Sequence, residues 1–234
     1  MNLYDKLHMI VRFWRYRLRT ESESIRFLLN QKLKDSVAID VGANRGIYTY
    51  WLSKQVGPSG KVISFEPQPE MISGLEQLRD SFALTNTTFV NKALSSKEDS
   101  LTLYRDCVGS GGATLNGQSS DKPSISVDVI RLDDYLAQNS IGSQPISFIK
   151  ADVEGHELDV FRGAEETLRQ HKPILLFECH EADAIKGNVF SFLKDLNYQG
   201  FFFRGSQMID VAEFDKHPYR KPDERHRNYM FLAG

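Results

Sequence analysis

Ala38-Ile39-Asp40-Val41-Gly42-Ala43-Asn44-Arg45-Gly46 is the stretch on which the fold turns. An apolar run, Val37 to Val41, reads as a buried strand. It carries an acid near its end, passes into a glycine turn and opens into Ile47 to Val56, which reads as a helix. In open α/β sheets a ligand binds beyond the carboxyl ends of the strands. Gly42 and Gly46 let backbone approach that ligand, because no Cβ intrudes. The helix that follows presents its free N–H groups to the same place.

The rest of the chain repeats the alternation. Lys61 to Phe65, Thr87 to Asn91, Leu101 to Tyr104, Ile125 to Ile130, Ile146 to Ala151 and Pro173 to Glu178 read as strands. Gln68 to Ser81, Leu132 to Gln138, Glu154 to Gln170 and Val189 to Leu196 read as helices, the third of them one long helix. Strand–helix alternation builds right-handed crossovers and a mainly parallel sheet covered on both faces. Phe201 to Arg204 and Tyr229 to Leu232 have no convincing helix between them and are expected to form an antiparallel edge pair. Two domains of unequal weight are expected: a helical extension over residues 1–36 and the α/β domain over 37–234.

The spacing of the turn selects its ligand. It is GxxxG, with Asn44 where the dinucleotide fingerprint GxGxxG has its second glycine. Asp40 would repel a pyrophosphate and attract a cation. S-adenosylmethionine carries an ammonium and a sulfonium and no phosphate, so the turn favours it. Ala43, Asn44 and Tyr48 belong to the same binding segment. Glu66 ends the second strand twenty residues after Gly46, where an acid meets the ribose hydroxyls of an adenosine cofactor. Pro67 lies near the adenine edge, and Asn91, Lys92 and Ala93 close its other side.

Asp152 ends the fourth strand beside the central crevice. It is the first candidate for a general base or for holding the methionine amino group. His180 ends the neighbouring strand and titrates near neutrality. Glu154 is a third candidate for contact with the acceptor, although it and Glu157 also suit the start of a helix. His156 reads as a surface residue. Asp152, Glu178 and His180 lack a diagnostic metal spacing, and no metal is expected. Arg105 to Ser124, rich in glycine and serine, is long enough to be functional, and Ser110 to Leu115 are expected to fold over the site.

These motifs, in this order, resemble the FkbM family of methyltransferases. The resemblance runs from about Val37 to His180. It rests on IDVGANRG, the FEP at Phe65 to Pro67, the LDDYL at Leu132 to Leu136, the KADVEGHE at Lys150 to Glu157, the GAEETL at Gly163 to Leu168 and the KPILLFE run. It implies a Rossmann-like class I methyltransferase fold, a seven-stranded sheet in the order 3-2-1-4-5-7-6. It also implies methyl transfer, usually to a hydroxyl oxygen of a saccharide or other natural product. A nicotinamide-dependent oxidoreductase is disfavoured by the GxxxG spacing and by the lack of a Tyr-x-x-x-Lys pair. A non-catalytic cofactor- or partner-binding domain is the other alternative.

Composition excludes several classes. A net charge of −2 over 234 residues gives no bulk attraction to nucleic acid. Cys107 and Cys179 form no CxxC pair, which fits a reducing cytoplasm. No apolar run spans a bilayer, and no signal peptide is read. Leu3, Leu7, Ile10, Trp14 and Leu18 recur at helical spacing among Arg12, Arg15, Arg17 and Arg19. Such a stripe is expected to pack on the domain or on a second copy of the chain; the other expectation is peripheral contact with an anionic inner membrane surface.

Overall fold

The computed structural model describes residues 1–117, 123–141, 144–180, 188–205, 207–216 and 226–234. Strands are β1 (Val37–Val41), β2 (Lys61–Phe65), β3 (Thr87–Val90), β4 (Ala93–Leu94), β5 (Asp99–Tyr104), β6 (Ser124–Ile130), β7 (Ile146–Ala151), β8 (Ile174–His180), β9 (Tyr198–Arg204), β10 (Gln207–Asp210) and β11 (His226–Ala233). Helices are α1 (Leu3–Arg15), α2 (Ser22–Leu29), α3 (Ile47–Val56), α4 (Pro69–Ser81), α5 (Leu132–Gln138), α6 (Glu157–Arg162), α7 (Glu165–His171) and α8 (Val189–Asp195). A π-helical turn, Tyr16–Thr20, joins α1 towards α2.

The main sheet runs β10-β9-β11-β8-β7-β1-β2-β3. Strands β3, β2, β1, β7 and β8 are parallel, and β11 is antiparallel to both β8 and β9. Leaving out β10, this is the 3-2-1-4-5-7-6 order. The sheet differs from the expected seven strands by β10, a hairpin partner of β9 inside the polar stretch after Gly205. A second, three-stranded sheet, β4-β6-β5, stands apart and carries the glycine-rich segment between β5 and β6.

Strand residues alternate between two apolar layers, as their period of two requires. Ile39, Val41, Ile63, Phe65, Ile149 and Phe177 pack with Leu132, Val160, Phe161, Leu168 and Leu193 of α5 to α8. Ala38, Val62, Phe148, Leu176 and Met230 pack on the other face with Trp51, Leu52 and Leu78 of α3 and α4. Phe13, Ile25 and Leu28 of α1 and α2 join this second layer, so the N-terminal extension completes it.

Two expectations need correction. The long helix over Glu154 to Gln170 is two short helices. Glu154 and Gly155 have φ of 52° and 97°, so α6 begins only at Glu157. At Gly163, where the helix breaks, a Cβ would overlap the Ser95 carbonyl. The buried Asp133 carboxylate then accepts N–H bonds from Glu166 (3.1 Å) and Thr167 (3.0 Å), capping α7. The second correction concerns α1. Of the expected stripe, Leu3, Leu7 and Leu18 face solvent, at 75%, 53% and 65% exposed, whereas Ile10 is half-buried and Trp14 sets its ring edge-on to Trp51 at 6.0 Å, so only part of the stripe meets the domain. Phe13, stacked on Tyr50 at 4.0 Å, makes that contact from another side of the helix, with Met9 and Tyr16 beside it.

Candidate active site

One cavity of about 310 Å³ opens at the carboxyl ends of β1, β2, β7 and β8. Such a volume suits a small-molecule ligand. The turn after β1 forms its floor. Gly42 has φ of 81°, and a Cβ there would overlap the Asp152 carbonyl oxygen at the end of β7. The two strand tips therefore meet across a position that only glycine fills without strain. Gly46, at φ 73°, serves the scaffold instead. A Cβ there would lie 2.6 Å from Leu78 Cδ2, and its chain direction starts α3 against α4.

Acids gather in this cavity. Asp40 is buried and accepts a bond from the Thr49 hydroxyl; burial lifts its pKa to about 6. Glu66 is buried at the tip of β2 and burial raises its pKa too. Its Oε2 accepts the Asn44 N–H at 2.7 Å and its Oε1 accepts the Gln68 N–H at 3.0 Å. A carboxylate has about four lone-pair sites, so each oxygen keeps one for a hydroxyl. Asn91 does not reach the cavity wall. Its amide donates to the Glu66 and Pro67 carbonyls, 2.9 and 3.1 Å, and so holds the β2 tip from behind.

The other end is built around Lys150. This lysine is fully buried in β7, donates to the Ala151 carbonyl at 2.9 Å and lies 3.8 Å from Asp152 Oδ2. Its ammonium sits over the Tyr48 ring, 4.9 Å from the centroid. Glu178, on β8, lines the same space; burial first, then the negative charge of Asp152, pushes its pKa up to about 7. Glu21 reaches in from the N-terminal extension. Its Oε2 accepts bonds from Tyr48 (3.1 Å) and Asn228 (2.7 Å), and burial raises its pKa.

The glycine-rich segment covers the cavity. Gly109, Ser110, Gly111, Ala113 and Leu115 line it. Asn44 Nδ2 donates to the Gly109 and Ser110 carbonyls at 3.4 and 3.3 Å, and Gln68 Oε1 accepts the Gly109 N–H at 2.9 Å. Further along, the Thr114 hydroxyl donates to the Glu154 carbonyl at 2.7 Å, and Asn116 bonds the Gly155 carbonyl. His156, expected at the surface, is buried instead. It bonds Ser95 at 3.0 Å and Asn116 at 3.2 Å, and burial lowers its pKa.

Asp40, Gly42, Ala43, Asn44, Tyr48, Glu66, Pro67, Ala93 and Asp152 thus meet in one cavity. Gly46, Asn91, Lys92 and Glu154 are not in its wall. The backbone of His180 ends β8, and its side chain lies outside the described residues. Arg12, Arg15, Glu21, Arg45, Gln68, Lys150 and Glu178 line the cavity and were not among the expected cofactor or catalytic residues. For Lys150 and Glu178 a signal existed, since both lie in the quoted strand-end blocks. For Glu21, nothing in the sequence ties a residue before β1 to the tip of β7. Among the described residues no group of three or more His, Cys, Asp or Glu is arranged to hold a metal ion.

The FkbM methyltransferase domain family matches residues 40–200. The hexuronic acid methyltransferase AglP of Haloferax volcanii is 29% identical over 168 residues, covering 71% of this chain and 66% of that protein. A crystal structure of methyltransferase FkbM from Methylobacillus flagellatus superposes with a TM-score of 0.58 at 17% identity, over 87% of this chain and 45% of that one. Aeropyrum pernix fibrillarin, solved with natively bound S-adenosyl-L-methionine, superposes with a TM-score of 0.53 at 13% identity, over 94% and 76% of the two chains. The two superpositions speak to the fold. The chain spans just under two thirds of AglP and less than half of the M. flagellatus chain.

Proposed function

The chain belongs to the FkbM methyltransferase family, and from that premise we propose that it transfers a methyl group from S-adenosylmethionine to a hydroxyl of a saccharide or related natural product. The observation that carries this is the convergence of Asp40, Glu66 and Asp152 on one cavity at three adjacent strand tips. Buried carboxylates are costly unless a cation or a hydrogen bond meets them. A cationic adenosyl ligand supplies both: ribose hydroxyls for Glu66 and positive charge for Asp40, while Asp152, its side chain 38% exposed, adds a further negative charge for the ammonium. The name of AglP, hexuronic acid methyltransferase, supports a saccharide acceptor.

When bound, S-adenosylmethionine supplies an activated methyl: the carbon–sulfur bond breaks with its electron pair left on sulfur while the carbon–oxygen bond forms. The protein's part is alignment and proton removal, and alignment alone supplies effective molarities on the order of 10⁵ M or more. Asp152 holds the donor's amino group, beside Lys150. Glu178, whose pKa is about 7, takes the hydroxyl proton at neutral pH. The loop over Gly109 to Leu115 excludes water. Calorimetry with S-adenosylhomocysteine tests the donor site: micromolar binding is expected, and binding of NADH in its place overturns the reading. Glu178→Gln is expected to lower kcat at least about 100-fold with donor affinity unchanged, as loss of a general base does.

The exposed stripe on α1 supports peripheral contact with an anionic membrane. Leu3, Leu7 and Val11 of α1 and Leu18 of the π-helical turn face outward at helical spacing, with Trp14 partly exposed beside them. Residues 1–20 hold Lys6, Arg12, Arg15, Arg17 and Arg19 against Asp5, in a chain of net charge −2. Two copies meeting through this face would oppose like charges, whereas anionic lipid complements them. Among the described residues no helix is long and apolar enough to cross a membrane. Both cysteines are free, Cys107 exposed, which supports the cytoplasmic leaflet as the site of action. Co-sedimentation with phosphatidylserine vesicles at low salt, reversed at high salt, is expected; its absence removes the membrane reading.

A further inference from the structure

The rim of the cavity carries the opposite sign to its floor. Arg12 and Arg15 reach it from α1, with Tyr16 beside them in the wall, and Arg45 reaches it from the turn after β1. Arg45 is on the loop side: its Nη2 lies 3.6 Å from where a Cβ on Gly109 would stand. Arg12 is close enough to both other guanidiniums for their charges to act on it. Among the described residues none of the three forms an ion pair with a carboxylate. Elsewhere Arg105 pairs with Glu70 at 2.7 Å and Arg131 with Asp133 at 3.2 Å.

Three guanidiniums drawn together without a counter-ion repel one another, and that cost is relieved by a bound oxyanion. Guanidinium forks match carboxylate and phosphate oxygens in pairs. The donor's positive charge falls among the acids below; its single carboxylate is the rival occupant of the arginines, and donor affinity in the variant below separates the two. We propose that Arg12, Arg15 and Arg45 form an anion subsite, and that the acceptor is an anionic molecule whose carboxylate or phosphate is held at the rim while its hydroxyl reaches the methyl. This inference rests on the cavity holding the methyl donor. It also gives the N-terminal extension a role in acceptor choice, since two of the three cations come from α1.

The test is calorimetry on the full chain saturated with S-adenosylhomocysteine, with glucose, glucuronate and glucose 6-phosphate as probes. Glucuronate, glucose 6-phosphate or both are expected to bind at least about tenfold tighter than glucose, a difference of about 1.4 kcal/mol. The tighter of the two charged sugars identifies the group recognised. Arg12→Gln with Arg15→Gln is expected to erase the preference and leave S-adenosylhomocysteine affinity unchanged; both arginines are half-exposed or exposed, so the variant folds. Equal binding of all three sugars to the wild type overturns the subsite. So does a loss of S-adenosylhomocysteine affinity in the double variant, which would assign the arginines to the donor's own carboxylate. Failure of the wild type to bind S-adenosylhomocysteine at all strikes the donor reading instead, and is seen before any sugar is added.

Discussion

Glu66 and Asp40 are both buried acids, yet they differ in how the chain holds them. Glu66 is anchored by two backbone N–H groups, from Asn44 and Gln68, so its position is set by the turn itself. Glu66→Ala is expected to weaken S-adenosylhomocysteine at least about tenfold, a loss of about 1.4 kcal/mol, read by calorimetry. Asp40 has a hydroxyl partner and a pKa of about 6. A cationic ligand prefers its ionised form, so affinity for S-adenosylmethionine is expected to rise with pH through about 6 and to lose that rise in Asp40→Asn. Both residues were legible in the sequence, because a glycine turn and the acid twenty residues on follow from local strand–helix geometry. Lys150 stands there only inside a motif, and Glu178 only beside Asp152 and His180 in a metal reading that the spacing does not support, since a buried charge inside a strand gives no pattern of its own. Glu21 was illegible, because its contacts with Tyr48 and Asn228 cross most of the chain.

Among elements, α1 separates stability from surface. Phe13 is buried against Tyr50 and Phe82, whereas Leu18, in the π-helical turn that continues the helix, faces solvent. Phe13→Ala is expected to cost about 3–5 kcal/mol in denaturant unfolding, the usual price of emptying an aromatic site. Leu18→Ser is expected to stay within about 0.5 kcal/mol. The sequence located α1 and its apolar stripe, but periodicity counts every apolar residue alike and cannot tell which side meets the domain. The covering loop is held at one end by Asn44 and Gln68 and at the other by the backbone of Glu154 and Gly155. Thr114→Val removes one of these ties. It is expected to speed hydrogen exchange over residues 109–116 and lower kcat, with unfolding free energy changed by no more than about 1.5 kcal/mol.

Over the whole molecule, burial raises several acids at once: Asp40 to about 6, and Glu154, Glu157 and Glu178 to about 7. The folded state keeps these protons at a pH where the unfolded chain has released them. Unfolded acids titrate near 4, so the stability these groups contribute is present below that pH and is lost as pH rises towards 7. Urea midpoints of the ligand-free protein are therefore expected to fall from about pH 5 to pH 7, and saturating S-adenosylmethionine to flatten that fall by meeting Asp40 with a cation. The doubly wound sheet was readable from alternation and its strand order from the family resemblance. The eighth strand was not, because β10 is a short hairpin return within a polar stretch.

The contact of Gly42 with the Asp152 carbonyl has an evolutionary consequence. It welds the donor half of the machine to the sheet, where almost any change jams two strand ends together. The arginines on α1, and Gly111 and Gly112 of the covering loop, carry no such weld. Relatives with new substrates should thus arise by exchanging the entrance hall while the engine room is inherited untouched.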